Sequence, residues 1–181
     1  MSDEINIADL IHRGGVLKNV QGSSTSEIYD NIVKMIDLPD CMAPEQVYNA
    51  LCAREEILST AVGNGIALPH ARAPSMKDKE DQRICVAYLE KPLDMSAPDE
   101  RLVHVMFVLL TQNPQDHLKV LSTLAGLFRD TAFRKALEIT QHIGCINLVL
   151  QFPACDFFTA LLYFLHNNRK IKRENNKHNI K

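Results

Sequence analysis

Residues 102–110 read LVHVMFVLL and are followed, after Thr111-Gln112, by Asn113-Pro114-Gln115-Asp116. Only His104 interrupts the apolar run, so the segment lacks the alternation of a strand with one wet face. Rich in valine and carrying a phenylalanine, it reads as a β-strand covered on both sides. The residues after it form a helix start, with Asn113 at the N-cap, proline in the first helical position and an acid at the third. A strand buried on both faces needs helices above and below its sheet. This one stretch therefore implies a layered α/β fold.

The segments around it agree. Ile84–Leu89 (ICVAYL) is a second near-continuous apolar run, and Val16–Val20 and Ile66–Leu68 read as shorter strands. A helix around Ile7–His12 leads into the first of these through Gly14-Gly15. Ser24-Thr25-Ser26-Glu27 has the S-x-x-E form of a capping box. It opens a helix with Ile28, Ile32, Met35 and Ile36 on its core face, ending near Leu38-Pro39. Pro44 starts another helix that runs to about Glu56, with Val47 and Leu51 inward and Arg54 in its last turn. The Asn113 helix turns Leu118, Leu121, Leu124 and Phe128 inward, and Asp130 caps a further helix to about Leu137. The expected fold class is α/β: a single layered domain over residues 5–140, a mixed β-sheet flanked by α-helices.

Residues 141–181 form an apolar and then basic tail. The twenty residues 146–165 (INLVLQFPACDFFTALLYFL) would suit a membrane span in length, but Asn147, Gln151, Pro153 and Asp156 lie inside it. Packing on the domain or on an oligomeric partner is the more ordinary reading. The formal net charge of -2 conceals an asymmetry, because residues 167–181 hold six Lys/Arg against Glu174 alone. The body is acidic, which argues against nucleic acid as a partner, and the basic end reads as a solvated terminus. Five widely spaced cysteines without a C-x-x-C point to reduced structural thiols. The opening MSDEINIADL has no apolar core of a signal peptide. A cytoplasmic protein is expected.

The stretch Ser59–Arg72 (STAVGNGIALPHAR) carries the chemistry. Pro69 stiffens the backbone as it leaves a short strand, and so aims His70 out of a sheet end. His117 falls in the first turn of the Asn113-capped helix, where backbone N–H groups and the dipole favour an anion. Arg54 adds a charged, fork-shaped donor suited to phosphate oxygens. Together these residues make a site for a phosphoryl group, with an imidazole nitrogen as its acceptor. A lone histidine is more often structural, and His104, inside its strand, reads as a core or sheet-face residue. Zinc is not expected, since His70 and His117 lack a close-spaced ligand pair. Nor is Gly63-Asn64-Gly65 a Walker loop, having no G-K-[ST].

Glu55, six intervening residues and then Val62-Gly63-x-x-Ile66-Ala67-Leu68-Pro69-His70-Ala71 resembles the active-site signature of IIA proteins of the phosphoenolpyruvate-dependent phosphotransferase system (PTS). The branch is the fructose/mannitol type, which includes the nitrogen-regulatory IIA proteins. Leu51-x-x-Arg54-Glu55 and Asp116-His117-Leu118 extend the resemblance over about residues 5–138. It implies the EIIA type-2 fold and no cofactor. By the same resemblance His70 accepts a phosphoryl group from the phosphohistidine of the carrier HPr. His117 and Arg54 contact that group, and Thr60 is a hydrogen-bonding neighbour in its support. The phosphoryl group then passes to a IIB domain of a sugar permease, or its charge switches the binding of a regulated protein. The lack of IIB, IIC or HPr-like segments leans toward the regulatory role. Leu58 and Ala61 stand where the family commonly has glycines, and the tail departs from the family pattern.

Overall fold

The computed structural model describes residues 5–72, 76 and 78–143. The chain divides into two compact units, residues 1–129 and 130–181. In the first, helix α1 (Ile7–Gly14) leads to strand β1 (Val16–Val20), followed by α2 (Thr25–Met35) and α3 (Pro44–Ile57). Three short strands come next, β2 (Ala61–Gly63), β3 (Ile66–Ala67) and β4 (His70–Arg72). After them lie the two long strands β5 (Arg83–Leu93) and β6 (Val103–Thr111), then α4 (Pro114–Arg129). The sheet runs β1-β5-β6-β3-β2, with β4 also on β6. It is mixed: β1 is parallel to β5, β5 antiparallel to β6, and β3 and β4 parallel to β6.

The apolar runs do what their composition requires. Ile84–Leu89 and Val105–Leu110 are buried throughout, so both faces of the central strands are covered. Cys85, Ala87, Leu89, Met106, Val108 and Leu110 form one core with Ile28 and Ile32 of α2 and Val47 and Leu51 of α3. On the other face Phe107 meets Phe128 of α4, ring centroids 5.0 Å apart. There α1 comes so close to β5 that a Cβ on Gly14 would stand 2.3 Å from the carbonyl oxygen of Ile84. Two helical layers sandwich the sheet.

Helix starts follow the expected chemistry. Ser24 accepts from the N–H of Glu27, while the Glu27 carboxylate turns back to the N–H of Ser23, one residue before the cap. Asn113 Oδ1 accepts from the N–H of Asp116. Two helix faces differ from expectation. Met35 is 52% and Leu118 66% exposed, because the buried stripe of α2 is Ile28, Tyr29, Ile32 and Val33 and that of α4 is Asp116, Val120, Leu124 and Phe128. A period of 3.6 residues admits either neighbouring stripe, and helix rotation on the sheet selects one.

The second unit is described over α5 (Thr131–Ile143), whose first N–H groups, of Ala132 and Phe133, donate to Asp130 Oδ1. The apolar segment 146–165, the basic run, Cys145 and Cys155 lie outside the described residues. Among the described residues no helix is long and apolar enough to cross a membrane. Cys41 and Cys52 are half-buried and Cys85 buried, all as thiols; burial pushes Cys85 up to about 12.

Candidate functional site

The expected strand at 66–68 is the middle of a longer path. Asn64 and Gly65, both at positive φ, turn β2 back onto β3 in a two-residue hairpin. This is the Asn-Gly turn that matches the twist of paired strands. The chain then follows the edge of β6 without a register shift: Ile66 pairs Val105, Ala67 pairs Met106 and, past the proline, His70 pairs Leu109. Pro69 has no N–H to give, but its carbonyl accepts from Leu109 N–H at 2.8 Å. The imidazole of His70 therefore stands on a strand held from both sides of its proline.

Both ring nitrogens of His70 are engaged. Nδ1 lies 2.8 Å from the carbonyl oxygen of Leu68, which only accepts, so Nδ1 carries the proton. Nε2 lies 2.9 Å from Nε of Arg54, which only donates, so Nε2 presents its lone pair. These contacts suit a neutral imidazole with its lone pair on Nε2. Arg54 comes from the last turn of α3, and its Nη1 also donates to the carbonyl of Leu58 at 2.7 Å. That second bond satisfies a carbonyl at the helix C-terminus and limits where the guanidinium can point.

His117 is the second imidazole. Its ring centroid lies 4.9 Å from that of His70 and its plane is tilted by 49°. Its Nδ1 is 3.0 Å from Oγ1 of buried Thr111, the last residue of β6. The helix N-terminus beside it has fewer N–H groups to offer an anion than its sequence promised. Pro114 has none, that of Asp116 goes to Asn113 Oδ1, and that of His117 goes to the Asn113 carbonyl. The positive chemistry of the site rests on side chains.

Thr60 sits one layer back. It is buried, its hydroxyl donates to Glu55 Oε2 at 2.6 Å and its N–H to Glu55 Oε1 at 3.1 Å. Tyr29 donates to the same carboxylate at 2.8 Å. Burial, with the Glu55 charge beside it, holds the Tyr29 phenol far above its ordinary value, so it remains a donor. In the sequence Glu55 stands at the head of the signature without a role of its own, and Tyr29 carries no signal at all. A physical signal accompanies the signature: an acid in the last turn of a helix opposes the macrodipole, so it needs a compensating partner. Leu58, whose carbonyl bonds Arg54, and Leu118, next to His117 in the chain, are 69% and 66% exposed. Among the described residues no three His, Cys, Asp or Glu groups gather to hold a metal ion.

This arrangement can be set beside known proteins. The family described as "Phosphoenolpyruvate-dependent sugar phosphotransferase system, EIIA 2" matches residues 9–150. A nitrogen regulatory protein of Bradyrhizobium diazoefficiens is 29% identical over 81% of this chain and 95% of its own length. One from Pseudomonas aeruginosa is 32% identical over 74% of this chain and 87% of its own. Among solved structures, the nitrogen regulatory protein IIA-Ntr from Neisseria meningitidis superposes with a TM-score of 0.60 at 28% identity, covering 67% of this chain and 83% of that one. The chain belongs to the EIIA type-2 family of the phosphoenolpyruvate-dependent sugar phosphotransferase system.

Proposed function

We propose that Nε2 of His70 accepts a phosphoryl group from the phosphohistidine of an HPr-like carrier. The observation that carries this reading is the pair of contacts at His70. Leu68 takes the Nδ1 proton while Arg54 faces the Nε2 lone pair, so a nucleophile and a cation meet at one atom. A new N–P bond forms at Nε2 as the donor's N–P bond breaks, and the electron pair stays on the donor imidazole. The Arg54 N–H then turns from the nitrogen to a phosphoryl oxygen, while the His117 ring contacts the group from its other side. Exposed Leu58, whose carbonyl bonds Arg54, and exposed Leu118, next to His117 in the chain, suit a protein donor.

The phosphoryl group has two destinations, transfer to a IIB domain or retention as a charge that alters partner binding. One observation favours regulation: two relatives matched over 95% and 87% of their own length are nitrogen regulatory proteins. The acceptor assignment is tested by incubating the chain with phosphoenolpyruvate, enzyme I and HPr. Acid-labile, alkali-stable phosphate on the wild type and none on His70→Ala is the expected result. Equal labelling of the variant removes His70 as acceptor.

A further inference from the structure

The hydrogen bonds around His70 close into a ring that starts and ends on adjacent residues of α3. Arg54 Nε donates to His70 Nε2, and His70 Nδ1 donates to the carbonyl of Leu68. The N–H of Leu68 donates to the carbonyl of Thr60 at 2.9 Å. The N–H and hydroxyl of Thr60 both donate to the carboxylate of Glu55, the neighbour of Arg54. Tyr29, fully buried in the helix layer below, gives that carboxylate a third donor. Three donors converge on two oxygens, an arrangement that an ionised carboxylate accepts and an amide cannot reproduce.

We propose that Glu55 is the positioning residue of this site, acting through Thr60 and Leu68 to hold His70 in the Nδ1–H tautomer. The relay works through one carbonyl. The Leu68–Pro69 peptide has no N–H, so all it offers the His70 ring is an acceptor, and the direction of that acceptor decides which nitrogen is protonated. Glu55 sets the direction by fixing Thr60, whose carbonyl holds the Leu68 N–H. With the tautomer held, the lone pair stays on Nε2 opposite Arg54. With it released, a share of molecules carries the proton on Nε2, where it meets the Arg54 N–H and cannot attack. Glu55 touches no reacting atom and works wholly through the backbone of the β2–β4 segment.

This inference rests on His70 being the phosphoryl acceptor, but its test does not need a phosphoryl donor. In the full chain labelled with ¹⁵N-histidine, long-range proton–nitrogen spectra distinguish a protonated from an unprotonated ring nitrogen. The wild type is expected to show an unprotonated Nε2 at His70. Glu55→Gln sets an amide N–H₂ against donors of Tyr29 and Thr60, and is expected to give a mixture of tautomers. The rate of labelling should fall about tenfold, the weight of one charged hydrogen bond. Thr60→Val keeps the shape and removes only the hydroxyl, so it decides the matter should Glu55→Gln not fold. Variants that fold and keep the wild-type nitrogen pattern at His70 would overturn the relay. A wild type that shows the expected tautomer yet never takes phosphate defeats the proposed function and leaves the relay standing.

Discussion

His70 and His104 lie at opposite ends of the same strand neighbourhood, and they are held in different ways. His104, near the start of β6, gives its backbone N–H to the Gly65 carbonyl, and its ring covers the Asn64-Gly65 turn. A Cβ on Gly65 would stand 2.2 Å from His104 Nδ1, so the ring packs directly on the turn. His70, level with the far end of β6, is held through its nitrogens, by a carbonyl on one and a guanidinium on the other. Packing on the turn ties the His104 ring to the hairpin. At His70 two unlike partners restrain the ring and its proton together, which a nucleophilic nitrogen requires.

The comparison can be broken most sharply by exchanging labelling for stability as the readout. His70→Ala is expected to abolish phosphate labelling with less than about 1 kcal/mol change in stability, as for a half-buried residue outside the core. His104→Ala should keep labelling within about twofold, since its ring serves the hairpin rather than the chemistry. A loss of labelling in the second variant would join the two histidines in one function. The next largest effect belongs to the partner imidazole. His117→Ala should still accept phosphate but pass it on about a hundredfold more slowly, the cost of one transition-state contact, read by chasing labelled protein with a IIB acceptor.

Gly65→Ala sharpens the structural half. Its φ of 73° and the His104 ring oppose a side chain together, and a loss of about 2 kcal/mol in denaturant unfolding is expected. Adding His104→Ala should recover the part due to the ring and leave about 1 kcal/mol due to backbone conformation. Among the variants expected to slow the chemistry, Arg54→Lys has the smallest effect. An ammonium keeps the charge but cannot meet His70 Nε2 and the Leu58 carbonyl with one rigid fork, so labelling should slow about tenfold. Wild-type rates would show that charge alone matters there.

Much of this architecture was legible beforehand because it is locally encoded. LVHVMFVLL and ICVAYL have the composition of doubly covered strands, and Ser24, Asn113 and Asp130 start helices through bonds to residues two or three positions away. The Asn-Gly turn is readable from its residues, but the three-residue β2 before it, Ala61–Gly63, carries too short a pattern to announce a strand. The exposure of Met35 and Leu118 was not readable, because periodicity gives a helix face without its rotation.

The candidate site divides along the same line. The sequence by itself determined that His70 follows a proline at the end of a strand, that His117 opens a helix and that Arg54 closes one. Only the tertiary structure decided that the two imidazoles lie 4.9 Å apart, with Arg54 on one nitrogen of His70. It alone turned Thr60 back onto Glu55 and set Tyr29 beneath them. Caps and periodic stripes depend on neighbours within a turn or two of chain. The bonds that define the site link α2, α3, the β2–β4 segment and β6, and they exist only once the sheet has brought those elements to one edge.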